Sequence, residues 1–496
     1  IRFGLTAEKD AGEEFFKGSN KQGFDFYSFH FFMRDFKWLK SLAIGDFQVQ
    51  FGQGVSMWTG FRPLATGNAI DVFRYGKALS PYTSSNEVNY LRGIATELQF
   101  GKTQYTIWYS YRMKDAILSD TSLDNELYVT SLQETGFHRT IKEIERKNNY
   151  SQQLTGAFMQ YTHRVFRVGG GVFYSHLSYP LNKELKPYNQ YVFNSQNLLN
   201  ASISYNVIIK KISVYGENAM SHNGGFALLN GLVFYADPLV TLSAVHRYYS
   251  RDYQGVQSAA FGESSSNANE TGLYVGAEFI VNRYFILHSY IDYFHFMWLK
   301  YRVDAPSSGY KIYSQLTYTL NSKCVMFFRF RYQSKEVNEA TEYYNQIIAS
   351  NKQNYRFQLQ LTPISSIQLK SCVEYVAFYP NKEVEKQHGV LVYQDIRWIY
   401  KRISLAGRYA LFQTDNYDTR IYAYESDVLY ASSIPAHYAA GSRFYIVLKT
   451  EITPRINMWL KVSQTFYANK NSISSGSEEI NGNTKTDIRL QMIAKI

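Results

Sequence analysis

The chain has 496 residues, a formal net charge of +11 and an aromatic content of 17%, with 44 Tyr and 34 Phe. Its mean hydropathy of −0.32 excludes a helical membrane protein, and no run approaches the roughly 18 apolar residues of a spanning helix. Two cysteines, Cys324 and Cys372, exclude a disulfide framework and a Cys-rich metal site. No linker rich in Pro, Gly or Ser divides the chain, so residues 1–496 are predicted to form a single domain.

Two-residue alternation of apolar and polar side chains starts at residues 1–6 and recurs along the whole chain, which is the period of a two-faced β-strand. In one such segment the apolar face carries Tyr355, Phe357, Leu359 and Leu361. About 22 segments of about ten residues predict an all-β, transmembrane, antiparallel up-and-down β-barrel. A soluble β-solenoid or propeller is the alternative fold, but it requires a fixed repeat period that the sequence lacks. Because such a barrel must be exported, a chain that starts in a strand is expected to be a mature or trimmed product.

Short turns and long polar loops are expected to alternate along this series of strands. Turns are predicted at 163–164, 208–210, 236–238, 281–283, 320–322, 362–364, 400–402 and 453–455. Long connections are predicted at 115–149, 251–269, 335–352, 415–437 and 469–484. Outer-membrane barrels keep short turns in the periplasm and long loops outside the cell, so we predict the outer membrane of a Gram-negative cell.

The polar faces of the strands are expected to line a wet lumen, because unpaired charges are too costly in a dry core. The residues predicted to line the lumen are Arg329, Arg331, Arg356, Gln358, Gln360, Lys449, Glu451, Asp487 and Arg489.

Residues 45–92 interrupt the regular hairpins. A strand runs into Gly52 and Gly54, and a long connection follows before the next strand near Tyr90. Two interpretations stay open: residues 52–88 form a surface loop, or they fold into the lumen as a plug. Apolar residues such as Val55 and Met57 are unsuited to a solvated loop and favour the plug. The residues predicted to form this plug or gate are Gly52, Gly54, Trp58, Phe61, Arg62 and Arg74.

Two blocks, residues 4–13 (GLTAEKDAGE) and 45–54 (GDFQVQFGQG), resemble the barrel region of a Bacteroidota family of helix-hairpin-helix domain-containing outer-membrane proteins. In that family small DNA-binding-type motifs precede a long β-rich region. The resemblance implies that any nucleic-acid partner would contact a region before Ile1, and that this region adds strands, raising the count to 24.

The sequence shows no catalytic pattern. Its 10 histidines lack a metal-ligand spacing such as HExxH, and no nucleophile stands beside a base. We therefore expect no enzyme, no metal and no cofactor. The basic charge favours anionic surroundings such as lipopolysaccharide. The expected partners are outer-membrane lipid, lipopolysaccharide and other envelope proteins.

Three functional classes remain open on this basis. The first is a gated transport or translocation channel, which we favour. The second is a structural or assembly subunit of a multi-protein outer-membrane complex, with a sealed barrel. The third is an outer-membrane enzyme.

Overall fold

The structure is a computed structural model that describes residues 1–60, 68, 70–120, 127–255, 257–381 and 385–495. In these residues almost all regular structure is β. A single short α-helix, α1 (Ile141–Glu145), and the 3₁₀ turns Pro187–Asn189 and Gly476–Glu478 complete it. None of the described helices has the length and apolar character that crossing a membrane requires.

The strands follow one another with few interruptions. The first half of the chain contains β1 (Arg2–Glu8), β2 (Phe26–Phe36), β3 (Leu39–Gln50), β4 (Ala78–Pro81), β5 (Leu91–Phe100), β6 (Thr103–Asp120), β7 (Leu127–Gln133), β8 (Tyr150–Thr162), β9 (Phe166–Leu177), β10 (Asn197–Ile209), β11 (Ile212–Ser221), β12 (Phe226–Asp237) and β13 (Val240–Tyr249). The second half contains β14 (Glu270–Ile280), β15 (Phe285–Phe296), β16 (Ser307–Asn321), β17 (Cys324–Ala340), β18 (Asn345–Ile364), β19 (Ile367–Tyr379), β20 (Gln387–Tyr400), β21 (Ile403–Thr414), β22 (Ile421–Tyr422), β23 (Ala436–His437), β24 (Ala440–Thr453), β25 (Ile456–Tyr467), β26 (Ser472–Ile473), β27 (Ile480–Asn481) and β28 (Thr484–Ala494).

One sheet of 24 strands contains all of these except the two small pairs β22–β23 and β26–β27. Two members of the large sheet, β4 and β7, are short additions that pair with β3 and β6. The remaining 22 strands are those of the meander, so the predicted strand number and the predicted antiparallel β-barrel are confirmed.

The chain forms two compact units, one of Ile1–Gly276 with Asp292–Ser308 and the other of Ala277–Ile291 with Gly309–Ile496. In unit 1, antiparallel ladders join neighbours from β1 to β13 through turns such as 210–211. In unit 2, ladders join neighbours from β16 to β28 through turns such as 401–402. Lys210 and Lys401 take positive φ in these turns, which lets the chain reverse within two residues.

The outward faces of the strands are apolar in both units. In β10, Leu199 and Ile203 are exposed while Asn200 and Ser202, on the opposite face, are buried. In β21 of unit 2, Tyr409 and Leu411 are exposed and Arg408 is buried. This arrangement reverses that of a water-soluble protein and is the surface that a bilayer requires.

Aromatic side chains gather near the short turns. Trp38 stacks on Phe100, with ring centroids 6.4 Å apart, where β3 begins and β5 ends. In unit 2, Trp398 and Tyr400 stack at 5.8 Å at the end of β20. Such rings mark the level of the membrane interface. The apolar outer faces and these rings place the protein in the outer membrane of a Gram-negative cell, because β-barrels of this kind insert there.

The predicted loop at 335–352 is wrong. Strand β17 continues to Ala340 and β18 begins at Asn345, so most of the predicted loop belongs to a long hairpin. Alternation weakened there because both faces of this extension are polar. In unit 1, the connection between β11 and β12 is also short, with residues 222–225 in its turn.

Candidate functional site: segments folded onto the inner face

In unit 1, the chain leaves β3 after Gln50 and turns onto the inner face of the sheet, the face opposite the exposed apolar one. Gly52 (φ 54°) and Gly54 (φ 82°) have backbone conformations that favour glycine. A Cβ atom at Gly52 would lie only 2.4 Å from Oε2 of Glu217, so this position also needs glycine for space. We call residues 51–60 and 70–90 the inward segment.

A buried carboxylate on β11 holds the turn of the inward segment. Glu217 Oε2 accepts hydrogen bonds from the backbone N–H groups of Gln53 (2.7 Å) and Val55 (2.9 Å). Its Oε1 accepts one from the N–H of Ser56 (3.1 Å). Backbone donors that would otherwise be buried without partners are therefore satisfied by one side chain of the barrel wall.

Aromatic packing holds the same turn from the other side. The Phe51 ring lies 4.3 Å from that of Phe158, 5.4 Å from that of Trp108 and 6.4 Å from that of Phe173. These residues belong to one buried cluster that also contains Met57 of the inward segment.

A second loop of unit 1, whose described residues are 250–255 and 257–269, packs on the inward segment. Backbone hydrogen bonds run from the N–H of Trp58 to the carbonyl of Gln257 (2.9 Å) and from the N–H of Ala259 to the carbonyl of Gly54 (2.8 Å). The guanidinium of Arg74 donates to the carbonyl of Ala259 and lies 5.4 Å from the Trp58 ring. Sequence analysis assigned residues 251–269 to a surface loop, whereas the structure pairs them with the inward segment.

The return of the inward segment to the sheet is also fixed by the wall. Strand β4 pairs with β3, placing Leu79 beside Val49. Arg112 of β6 donates to the backbone carbonyls of Glu87 (2.7 Å), Val88 (2.6 Å) and Tyr90 (2.8 Å). The next strand, β5, begins at Leu91, as expected.

Of the residues predicted for the plug or gate, the structure brings four together. Gly52, Gly54, Trp58 and Arg74 lie in the inward segment, where Trp58 and Arg74 are buried. Phe61 and Arg62 lie outside the described residues. Sequence analysis missed Glu217 and Arg112. The sequence shows each of them only as a charged residue on the inner face of a strand. Many other residues of the chain share this property, so it does not single out these two.

Unit 2 has its own inward-folded loop, residues 415–439, which the sequence suggested would be a surface loop. Glu425 and Asp427 in this loop are fully enclosed. Glu425 accepts from Arg443 at 2.7 and 2.9 Å, while Asp427 pairs with Lys461 at 3.1 Å and with Arg489 at 2.9 Å. The apolar residue Val428 packs with Tyr445, Val447 and Trp459.

The residues predicted to line the lumen all lie in unit 2, on the inner faces of their strands. Arg329 and Arg356 flank Glu374 on β19, with Arg329 at 3.5 Å. Arg331 lies 5.5 Å from the Tyr313 ring and Lys449 5.4 Å from the Trp459 ring. Arg489 contacts Asp427 of the inward loop, and the Tyr393 hydroxyl donates to Gln358 (3.5 Å). The others are half-buried: Gln360, Glu451 and Asp487.

A charged cluster joins two loops of unit 1 on the side of the long connections. The His138 ring lies 2.5 Å from Asp25 through Nδ1 and 2.8 Å from Asp115 through Nε2. Burial lowers the pKa of His138, but the hydrogen bonds to Asp115 and Asp25 outweigh it and raise the pKa to about 9. Glu13 and Asp25 lie near enough to His138 for a shared metal ion. Because both ring nitrogens of His138 are hydrogen-bonded to carboxylates, the imidazolium forms ion pairs with Asp25 and Asp115.

No family model and no curated protein matches this sequence. Among solved structures, the chain is similar to the outer membrane transporter YddB from Escherichia coli, with 8% identity, a TM-score of 0.42 and coverage of 95% of this chain and 75% of that one. It is also similar to the copper transporter OprC, with 7% identity, a TM-score of 0.40 and coverage of 87% and 67%. A BenF-like porin from Pseudomonas fluorescens gives 6% identity, a TM-score of 0.36 and coverage of 72% and 89%. At these values the likenesses carry no information on substrate. The protein is an outer-membrane β-barrel on the evidence of its own strands, with loop segments folded onto the inner face of each unit.

Proposed function

We propose that the protein is a gated transport or translocation channel, with the inward segment of unit 1 as its gate. The observation that carries this proposal is the attachment of the segment by Glu217. A carboxylate that accepts from three backbone N–H groups of one short turn, residues 53–56, forms a compact attachment, which can be released as one unit. A segment meant only to fill space would be held by apolar packing, without a buried charge that is costly to desolvate.

The alternative function is a structural or assembly subunit with a sealed barrel. The packing of Phe51 against Trp108, Phe158 and Phe173 favours it, because a stacked aromatic cluster resists opening. The two functions differ in whether the inward segment ever leaves the inner face.

Single-channel conductance in planar bilayers tests the proposal. We expect low conductance from the whole chain and large, stable conductance after residues 52–88 are replaced by a short Gly-Ser linker. Glu217→Gln keeps the size of the side chain but turns a donor toward the backbone N–H groups, so brief openings are expected. The matched control is Glu145→Gln, which changes an exposed glutamate on α1 of the same unit and should behave as the parent chain.

Two outcomes would contradict the proposal. If none of the four proteins conducts in the bilayer, with insertion verified by protease protection, the barrel is sealed and the structural role is assigned. If all four conduct equally, the barrel is open and the inward segment is not its gate.

The partners are part of this proposal. Exposed lysines in loops of unit 1, among them Lys17, Lys21 and Lys142, support contact with lipopolysaccharide, whose phosphates attract cations. Membership of the Bacteroidota helix-hairpin-helix family, contact with other envelope proteins and any nucleic-acid role through a preceding region stay predictions from the sequence.

A further inference from the structure

Unit 1 contains a cavity of about 620 Å³ between the inward segment and the short turns. Gly52, Gln53 and residues 73–79 of the inward segment form one boundary of the cavity. The opposite boundary includes three exposed residues, namely Asp35 near the end of β2 and Gly101 and Lys102 in the turn after β5. Its size lies within the roughly 300–1,000 Å³ of sites that bind small molecules.

The cavity wall is strongly basic. Six cationic side chains line it, namely Arg34, Lys40, Arg74, Lys77, Lys102 and Arg167, against the two carboxylates Asp35 and Glu97. Glu97 is already engaged, because it pairs with Lys40 at 3.4 Å and accepts from the hydroxyl of Ser41 at 3.0 Å. An excess of positive charge therefore faces the cavity.

Arg167 lies where the inward segment borders the cavity. Its guanidinium is 5.5 Å from the ring of Tyr75, and both residues line the cavity. Its Nε atom is enclosed by protein, so a ligand in the cavity would contact the terminal nitrogens. A guanidinium presents donors that match a phosphate or a carboxylate.

We propose that this cavity binds a small polyvalent oxyanion, whose phosphate or carboxylate groups contact Arg34, Lys102 and Arg167. Amide side chains of Gln99, Gln104 and Gln160 also line the cavity and supply neutral donors for further oxygens. A partly enclosed basic site concentrates anions more strongly than the same charges on an open surface. This inference is independent of the proposed channel, because binding is measured at equilibrium and requires no conduction.

Isothermal titration of the whole chain in detergent micelles tests the site, with tripolyphosphate and citrate as probes and maltotriose as a neutral probe. We expect the anions to bind, more weakly as salt is raised, and maltotriose not to bind. The triple variant Arg34→Gln/Lys102→Gln/Arg167→Gln should bind about tenfold more weakly or worse, because it removes three charge-assisted contacts. The control Lys323→Gln/Lys401→Gln/Lys495→Gln changes the net charge equally at exposed positions of unit 2, none of which lines the cavity, and should bind as the parent chain does.

A variant that should gain affinity is added, because misfolding could explain a loss of binding but not a gain. Asp35 has a φ of 57°, a conformation that asparagine accepts readily, so Asp35→Asn should fold normally. Because it removes one of the two carboxylates, it should bind the anions several-fold more tightly.

The probes also separate the sources of the ligand. Binding of tripolyphosphate alone would support a phosphate ligand, binding of citrate alone a carboxylate ligand, and binding of both the shared site. The proposal is overturned if neither anion binds the parent chain, or if maltotriose binds as well as they do. Equal losses in the triple variant and the lysine control, or unchanged binding in Asp35→Asn, would also overturn it.

Discussion

At the scale of single residues, the wall of unit 1 acts on the inward segment through buried charges. Glu217 is 1% exposed, yet its oxygens are saturated by backbone N–H groups of residues far away in the sequence. If the carboxylate is removed, the N–H donors stay buried without an acceptor. The resulting loss of folding free energy is larger than the net stabilisation that one hydrogen bond provides.

Glu217→Gln should therefore loosen the turn at residues 53–56 without unfolding the sheet. We expect the local opening free energy of this turn to fall by about 1–3 kcal/mol, the usual cost of an unsatisfied buried donor. Hydrogen–deuterium exchange of the peptide containing Gln53, Val55 and Ser56 measures this change. Exchange in β8, and exchange of the same peptide in Glu145→Gln, should match the parent chain, whereas a uniform rise in all strands would contradict a local role.

The raised pKa of His138 predicts a loss of loop stability at alkaline pH. Since its pKa is about 9 in the folded protein, above the ordinary value of about 6.5, its contribution is complete below about pH 6.5 and is lost as the pH rises through 9. Exchange of residues 9–25 and 136–148, corrected for its intrinsic pH dependence, should accelerate over this interval.

Glu87 loses its contribution over an overlapping interval and must be separated from His138. Its burial, together with the charges of Glu8 and Asp25, raises its pKa from the ordinary value of about 4.5 to about 9. Its contribution to loop stability is therefore complete below about pH 4.5 and is lost as the pH rises through 9. The variant His138→Gln should keep part of the pH dependence, and His138→Gln/Glu87→Gln should lose nearly all of it. If the double variant responds to pH as the parent chain does, neither group is responsible.

At the scale of elements, the inward loop of unit 2 depends on its two buried acids. In Glu425→Gln/Asp427→Asn, the cations Arg443 and Lys461 lose their counter-ions, a change that typically costs about 3–5 kcal/mol for a buried pair. We expect the loop to leave the inner face and trypsin to cleave at Arg420, which lies at its start. The control is Glu478→Gln on an exposed turn, and an unchanged cleavage pattern in the double variant would show that apolar packing alone holds the loop.

The elements also show what the sequence was able to predict. Strands and short turns followed from alternation and turn residues, because these signals are local; the turn at Lys210 is an example. The inward position of residues 251–269 and 415–437 did not follow, because it depends on contacts such as that of Gly54 with Ala259, far apart in the sequence. The inward position of Gly52, Gly54 and Trp58 could be predicted because glycines and apolar residues in a loop are a local anomaly, whereas their role in a gate stays a prediction. Glu217 shows no such anomaly, because the sequence pattern of a charged residue on the inner face is the same whether that residue contacts water or a folded segment.

At the scale of the whole molecule, the lipid-facing surface makes a prediction that depends on depth. Ile203 lies in the middle of β10 and Ile209 at its end, and both are exposed outward. Ile203→Arg should destabilise the barrel in phospholipid vesicles by about 2–4 kcal/mol, and Ile209→Arg by about 1 kcal/mol or less, because arginine is costly only near the bilayer centre. Equilibrium urea unfolding measures both, and equal losses would mean that β10 is placed at another depth.

The attachment of the inward segment to Glu217 has a consequence for the order of folding. Gln53 and its acceptor are separated by 164 residues, and Arg74 and Ala259 by 185. Contacts of such high sequence separation form late, after the loop-closure entropy between them has been overcome by the intervening hairpins. Hairpins β8–β9 and β11–β12 form from strands that are adjacent in the sequence. The wall of unit 1, including Glu217, therefore forms before the turn at residues 53–56 binds to it. The folding barrel therefore passes through a stage in which the wall of unit 1 has formed and the turn at residues 53–56 is not yet bound to it, so that a segment preceding the wall in the sequence docks after it.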